Sequence, residues 1–252
     1  MKRYLCFILT MCFLLTACGN DSSNTEENSS TQSKETTTSE QTQSEENEQN
    51  TGGNILISYF TWADNTVVED EEAALESALS HYEAMGDADE YGDDVVASAS
   101  ILPPGNTARI ASWIQDEIGG DLFSIQVEEP YPSDYDNCMD RAADEKAEDT
   151  RPVLKENVQS MDQYDTVFIG YPNWWYTCPM AIHSFIEENN LSGKRIVLFC
   201  TYGTGGLASS VNDIEEALPD DAVLEENVLG VYRPDVLDAQ ETVNSWLDEI
   251  GY

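Results

Sequence analysis

The stretch Gly170-Tyr171-Pro172-Asn173-Trp174-Trp175-Tyr176-Thr177-Cys178-Pro179 decides how the rest of the sequence is interpreted. Residues 165–169 before it are β-branched and aromatic, which is typical of a buried parallel strand. Residues 180–188 after it are helix formers, and Pro179 stands where a first helical turn tolerates proline. Three large aromatic side chains therefore follow a strand at the carboxyl edge of a sheet, where open α/β sheets bind ligands. They indicate either a planar ligand that stacks on the rings or an apolar patch that the rings cover.

The first 17 residues predict a lipoprotein signal peptide. Lys2 and Arg3 precede an apolar run at 4–16, which is shorter than the roughly 20 residues that span a bilayer. The run ends in Leu15-Thr16-Ala17-Cys18, which resembles the lipobox of bacterial lipoproteins. That resemblance implies cleavage before Cys18, a diacylglyceryl anchor with acyl chains such as palmitate on its thiol, and an extracytoplasmic place at the cell membrane. The alternative is an ordinary cleaved signal peptide that happens to contain a cysteine.

Residues 18–53 predict a disordered acidic tether. After Cys18 they are rich in Ser, Thr, Glu, Gln and Asn and have almost no apolar side chains. Such a segment cannot bury enough surface to offset the entropy that ordering would cost. We interpret it as a stalk that holds one domain, residues 54–252, away from the membrane.

That domain is strongly acidic. The whole chain has 49 Asp and Glu residues and 11 Lys and Arg residues. Removing the eight acids and three bases of residues 1–53 leaves 41 acids and eight bases, a net charge of −33. Because phosphate backbones are neutralised by basic patches, this charge argues against a nucleic-acid partner. It also keeps the domain soluble and repels anionic membrane surfaces.

The domain alternates strand and helix patterns, which predicts an α/β fold with a parallel sheet covered on both faces. Strands are predicted at 54–60, 121–127, 165–169 and 194–200, with a weaker fifth at 223–224 and 227–231. Helices are predicted at 107–118, 135–147, 180–188, 208–217 and 238–250. Residues 67–104 interrupt this alternation and predict an insertion after strand 1, whose best helical window is 71–82. The insertion is either a lid over a ligand or a decoration of the fold.

Two loops predict an anion site at the start of the first of these helices. Gly105 permits a tight turn, and Asn106 or Thr107 can serve as the N-cap. The first-turn amides and the helix dipole can bind a phosphate without Lys or Arg. The turn after strand 1, which contains Thr61, would close over the same phosphate. The alternative is a helix cap and a turn with no ligand.

A third loop, Thr201-Tyr202-Gly203-Thr204-Gly205-Gly206, follows strand 4. Its glycines allow backbone amides and carbonyls to approach a flat polar edge. The alternative is a flexible turn into the next helix.

Six segments in this order resemble the flavodoxin family, in particular a bacterial branch of flavodoxin-like lipoproteins. They are ILISYFTW at 55–62, GNT at 105–107, GDLFSI at 120–125, PYP at 130–132, GYPNWW at 170–175 and FCTYGTGG at 199–206. The resemblance implies a flavodoxin-like three-layer, doubly wound fold. It also implies a five-stranded parallel sheet of order 2-1-3-4-5 and a non-covalent FMN cofactor.

The resemblance also implies which residues bind FMN. The phosphate would be bound by Thr61, Gly105, Asn106, Thr107 and Ala108. The flavin would be flanked by Pro172, Asn173, Trp174, Trp175, Tyr176 and Thr177, with one of the two tryptophans stacking. Its pyrimidine side would be contacted by Thr201, Tyr202, Gly203, Thr204, Gly205 and Gly206. The family's phosphate loop is unbroken, whereas here the insertion splits it, so the roles of residues 62–66 stay open.

The resemblance leaves three functions open. The first is an FMN-binding protein that transfers electrons at the outer face of the membrane, to a redox partner protein or a small-molecule acceptor. The second is an FMN-dependent NAD(P)H or quinone oxidoreductase, and the third is a flavin-less binding module. Since reduction adds negative charge to a flavin, a carboxylate about 10 Å away opposes reduction by roughly 0.4 kcal/mol. The acidic domain therefore predicts a low-potential electron carrier.

Other chemistry-bearing residues fit no catalytic or metal site. We interpret His183 as a packing or surface side chain, and His81 lacks metal-ligand neighbours in the sequence. The pattern favours buried free thiols at Cys138, Cys178 and Cys200. A Cys178–Cys200 disulfide, or a thiol that exchanges electrons with the flavin, is the alternative.

Overall fold

The computed structural model describes residues 54–86 and 101–252. The predicted signal peptide, Cys18 and the predicted tether lie outside these residues, as does the part of the insertion at 87–100. Within the described ranges, no helix is long and apolar enough to cross a bilayer.

Strands and helices alternate along most of the domain, as the sequence predicts. The strands are β1 (Ile55–Tyr59), β2 (Asp121–Ser124), β3 (Thr166–Pro172), β4 (Arg195–Tyr202), β5 (Val223–Leu224) and β6 (Leu229–Tyr232). The helices are α1 (Glu71–Met85), α2 (Asn106–Ile118), α3 (Tyr135–Ala147), α4 (Met180–Glu188), α5 (Ser210–Ala217) and α6 (Gln240–Glu249). Short 3-10 turns lie at Ala63–Asn65, Met161–Gln163 and Arg233–Asp238.

The strands form one parallel sheet in the order β2-β1-β3-β4-β5, which confirms the predicted fold and strand order. The fifth position is split between two short strands. β5 pairs with the start of β4, and β6 pairs with its end. Two glutamates, Glu225 and Glu226, lie between β5 and β6, and glutamate is disfavoured in a strand.

Helices cover both faces of the sheet because successive side chains of its strands point to opposite sides. In β3, which is buried along its whole length, Val167 belongs to the core that contains Phe185 of α4. The next residue, Phe168, belongs to the core that contains Ile114 of α2 and Leu247 of α6. The result is a three-layer arrangement of helix, sheet and helix.

Helix α1, within the predicted insertion, packs against α3. Asp70 caps its start by accepting a hydrogen bond from the amide of Ala73 at 3.1 Å, and Gly86 ends it in the left-handed conformation. Ala78 and Tyr82 form a small separate core against Tyr135 of α3. The insertion is therefore attached to the domain by apolar contacts along this helix.

The three cysteines of the domain, Cys138, Cys178 and Cys200, are free and buried. Burial raises the pKa of the Cys178 thiol to about 12, and it also raises the pKa of Cys138 and Cys200. These thiols are therefore protonated and unreactive at neutral pH, because the thiolate is the reactive form.

Gly170 in β3 is required by packing, which gives a stability prediction. A Cβ at this position would lie 2.1 Å from Cζ of Phe199, a fully buried ring of β4. We expect Gly170→Ala to lower the free energy of unfolding by about 1–3 kcal/mol, because the buried ring has no space to move into. Urea denaturation measures this change.

The matched control is Gly230→Ala in β6. A Cβ there would lie 3.1 Å from the edge of the Tyr202 ring, at an exposed position. We expect a clearly smaller loss of stability, and equal losses for the two variants would contradict the packing argument.

Candidate functional site

A cavity of about 410 Å³ opens at the carboxyl edge of the sheet, within the size range of small-molecule sites. Its walls come from the loops that follow β1, β3, β4 and β6, and from the facing sides of α1 and α3. The lining residues are Trp62, His81, Tyr82, Tyr135, Cys138, Met139, Pro172, Asn173, Trp174, Trp175, Tyr176, Thr201, Tyr202, Gly203, Thr204 and Arg233.

The predicted anion site is assembled beside this cavity although the insertion separates its two halves in the chain. Gly105 has a φ of +81°, and a Cβ there would lie only 2.2 Å from Oγ1 of Thr61. That hydroxyl is buried and has no hydrogen-bond partner among the described residues. The first backbone hydrogen bond of α2 runs from the Arg109 amide to the Gly105 carbonyl at 3.1 Å. The amides of Thr107 and Ala108 precede it and have no partner within the helix.

This arrangement suits a phosphate. A buried hydroxyl and first-turn amides meet at a helix N-terminus, where the dipole favours negative charge. Thr107 also connects this corner with the cavity, since its Oγ1 lies 3.2 Å from Oγ1 of Thr201. A ligand with a phosphate on a short tail could place the phosphate at the N-terminus of α2 and its remaining part in the cavity.

A buried asparagine, Asn65, fixes the turn after β1. Its contacts give a role to one of residues 62–66, which the sequence left open. Nδ2 of Asn65 donates to the carbonyls of Thr61 and Ile125, both at 2.9 Å. Its Oδ1 accepts from the amide of Val127 at 2.8 Å. Asn65 is therefore a cross-link within the protein, whereas Trp62 lines the cavity.

Trp175 and Tyr176 lie at the tip of a two-residue hairpin. The amides and carbonyls of Trp174 and Thr177 exchange hydrogen bonds of 2.9 and 3.0 Å. Trp175 and Tyr176 between them have φ values of 51° and 64°. This is the geometry of a type I′ turn, in which Asn and Gly are the usual residues. The left-handed conformation costs a residue with a side chain roughly 1–2 kcal/mol.

Three hydrogen bonds to two other segments, helix α3 and the residue before α5, hold this strained hairpin. Nε1 of Trp175 donates to the carbonyl of Met139 at 2.8 Å. Nζ of Lys146 donates to the carbonyl of Trp175 at 2.7 Å, and the amide of Ser209 donates to the carbonyl of Tyr176 at 3.1 Å. The surrounding structure therefore fixes the backbone of the hairpin and the position of the Trp175 ring.

The three aromatic rings have different environments. Trp174 is half-buried, and its ring meets the rings of Phe60 and Tyr131 edge-on, with centroids 5.4 and 5.3 Å away. Trp175 and Tyr176 are 41% and 57% exposed. Trp174 is thus held by its neighbours, and the other two rings form the rim of the cavity.

The end of β4 contributes Thr201 and Tyr202 to the lining, and the loop after it contributes Gly203 and Thr204, so the strand runs two residues further than the sequence predicts. Asn173 ties this segment to the loop after β3, because its amide donates to the Thr201 carbonyl at 2.8 Å and its Nδ2 donates to the Gly206 carbonyl. Gly205 approaches Tyr176 closely, since a Cβ there would lie 2.8 Å from that ring. Thr177, Gly205 and Gly206 lie outside the lining, and Thr177 bonds through Oγ1 to the carboxylate of Asp213.

Sequence reasoning did not predict six of the lining residues, which are His81, Tyr82, Tyr135, Cys138, Met139 and Arg233. Nη1 of Arg233 donates to the hydroxyl of Tyr82, which lies 3.0 Å from the hydroxyl of Tyr135. Arg233 follows β6 directly, so the rule that points to the carboxyl ends of strands could have found it. No sequence signal placed α1 against the cavity.

The two histidines also find partners that the sequence did not indicate. Nδ1 of His81 lies 2.6 Å from Oδ1 of Asp136. His183 lies outside the cavity lining, 3.6 Å from Sγ of Cys178, and burial lowers its pKa. Among the residues that the structure describes, no group of His, Cys, Asp and Glu is arranged to hold a metal ion.

The charge of the cavity differs from that of the domain. Among the described lining residues there is no Asp or Glu, and Arg233 is the only Lys or Arg. Burial raises the pKa of Tyr135 well above its ordinary value, and the neighbouring Tyr82 raises it further. The phenol of Tyr135 therefore stays neutral. Among the described residues, the acidic side chains therefore lie outside the cavity lining, whose wall is mainly aromatic and neutral.

A family model described as Flavodoxin matches residues 95–250. No curated protein was found to match the chain.

Several solved structures are similar to this one. A flavoprotein candidate from Bacteroides eggerthii has 26% sequence identity and a TM-score of 0.53, and the match covers 80% of this chain and 99% of that one. A second, from Bacteroides uniformis, has 21% identity and a TM-score of 0.53, with 78% and 99% covered. A flavoprotein from Lactobacillus acidophilus in complex with FMN has 18% identity and a TM-score of 0.49, with 77% and 99% covered.

Proposed function

The chain belongs to the flavodoxin family, and from that premise we propose that it binds FMN non-covalently and transfers electrons at the outer face of the cell membrane. The observation that carries the proposal is the buried hydroxyl of Thr61, which has no partner among the described residues and lies beside Gly105 at the start of α2. An unsatisfied buried hydroxyl is costly. A phosphate bound at the helix N-terminus would satisfy it.

The phosphate group would be held by Thr61 and by the first-turn amides of α2, which include those of Thr107 and Ala108. Hydrogen bonds between amides and a charged group contribute about 1.5–3 kcal/mol each. Phosphate binding at this corner therefore requires no Lys or Arg, which suits a domain with a net charge of −33.

The flavin ring would lie in the aromatic cavity. Trp174, Trp175 and Tyr176 offer flat surfaces, and the backbone of Thr201 to Thr204 offers donors and acceptors to a polar ring edge. When bound, FMN supplies the redox chemistry. The protein's part is to bind and orient the ring and to exclude water from one side of it.

The first test is FMN binding by the full chain purified in detergent. We expect a yellow protein, or a colourless one that takes up added FMN with quenching of flavin fluorescence. Gly105→Ala should weaken FMN binding at least tenfold, because a Cβ would displace the Thr61 hydroxyl and one lost charge-assisted bond of about 1.5–3 kcal/mol already exceeds a factor of ten.

The matched control is Gly119→Ala at the other end of the same helix. Gly119 also has a positive φ, of +73°, but a Cβ there would meet nothing within 4 Å. The Gly119→Ala variant should have backbone strain similar to that of Gly105→Ala, and its affinity for FMN should equal that of the unsubstituted protein. A chain that refuses FMN at high concentration would refute the proposal.

The location at the membrane rests on the N-terminal sequence. We propose that Cys18 carries the lipid, so the chain should incorporate labelled palmitate when it is expressed in bacteria. Cys18→Ser should abolish the label, whereas Cys12→Ser, a substitution in the apolar run, should retain it. Label that persists in the Cys18 variant would exclude this cysteine as the anchor.

A second candidate is an FMN-dependent quinone or NAD(P)H oxidoreductase. It is favoured by the wall that α1 adds to the cavity, since an enclosed space suits a small molecule better than contact with a partner protein. The measurement is steady-state oxidation of NAD(P)H with a quinone, against free FMN at the same concentration. We expect an electron carrier to give no turnover above free FMN, and turnover far above it would replace the first candidate with the second.

A further inference from the structure

Arg233 is the one strongly basic side chain among the described residues that line the cavity, and it is 93% buried, with 7% of its surface exposed. It follows the last strand of the sheet and so lies at the same edge as the loops after β3 and β4. Its place was not indicated by the family resemblance.

The guanidinium is held between the insertion and the loop after β4. Nη1 donates to the hydroxyl of Tyr82, and Cζ lies 4.7 Å from the centroid of the Tyr82 ring. On the other side, a Cβ at Gly203 would lie 3.1 Å from Nη1. Tyr82 is in turn bonded to Tyr135, at 3.0 Å between the hydroxyls. Two contacts from α1 and one close approach from the β4 loop therefore define where the charge lies.

This charge acts on the cavity more strongly than any single carboxylate on the surface does. An arginine cannot lose its proton in a protein, so the charge is permanent. Coulomb interactions weaken with distance, and those between exposed groups are screened by salt within about 10 Å. A guanidinium at the cavity wall therefore outweighs individual carboxylates on the surface, and no described lining residue is acidic.

We propose that Arg233 stabilises the reduced, anionic form of FMN, and that helix α1 of the insertion serves to hold it there through Tyr82. This inference rests on the proposed function. Uptake of two electrons and one proton by oxidised FMN leaves one additional negative charge on the ring system. Arg233 contributes the opposite charge at the wall of the cavity, so the protein binds reduced FMN more tightly, relative to oxidised FMN, than its acidic composition predicts.

The test is an equilibrium redox titration of the full-length, FMN-loaded protein with dithionite as the reductant and an indicator dye. Arg233→Gln should lower the ratio of affinities for reduced and oxidised FMN at least tenfold, which is a downward shift of about 30 mV for a two-electron couple. Arg233→Lys keeps the positive charge, so the redox potential of its bound FMN should stay close to that of the unsubstituted protein. Tyr82→Phe removes the hydroxyl that accepts from Nη1 and should give a smaller shift in the same direction.

The matched control is Arg151→Gln. Arg151 lies outside the cavity lining and pairs with Asp149 and Glu187 at the surface. The substitution removes the same charge from the domain, so the potential of this variant should stay near that of the unsubstituted protein. Equal shifts in the Arg233→Gln and Arg151→Gln variants would overturn the inference, because they would reflect net charge alone.

The outcomes separate this inference from the proposed function. If the unsubstituted protein binds no FMN, both fail. If it binds FMN and Arg233→Gln leaves the potential unchanged, the inference alone fails. If Arg233→Gln does not fold or does not bind FMN, Tyr82→Phe decides, and a potential identical to that of the unsubstituted protein overturns the role of Arg233.

Discussion

The approach of Gly105 to the hydroxyl of Thr61 is the contact on which the site depends. The insertion places these residues on two separate segments, yet a Cβ at Gly105 would lie 2.2 Å from that hydroxyl. Parallel pairing of β1 and β3 fixes the end of β1, and the bonds of Asn65 fix the turn that follows. An insertion is tolerated at this point because the ends of the loop are determined by the sheet and by α2, and closing a longer loop adds little entropy cost.

The electrostatics of the cavity depends on where charges lie in the fold as well as on the net charge of the domain. Composition predicts a protein that resists the reduction of a flavin, because many carboxylates surround it. The folded chain places those carboxylates outside the described lining and one arginine inside it. Since Coulomb energy falls with distance and salt screens the surface, a single buried charge near a ligand has more influence than its share of the composition suggests.

The hairpin after β3 stores strain at the site. Its two central positions suit Asn and Gly, but they hold Trp175 and Tyr176 at positive φ. Residues in such conformations persist when the surrounding structure over-determines them, and they cluster at functional sites. Bonds from Met139, Lys146 and Ser209 provide that support. The rings are therefore held at the rim of the cavity at a cost in stability that a turn of ordinary composition would avoid.

The sequence by itself determined the α/β class, the strand order through the resemblance, and the three loops at the carboxyl edge. Helical patterns depend on neighbours in the chain, which is why the bounds of α3 and α4 were predicted to the residue. Only the tertiary structure placed α1 against the cavity and brought Tyr82, Tyr135 and Arg233 together. Those contacts join segments far apart in the chain, and no local pattern encodes which distant side chain an amphipathic helix will meet.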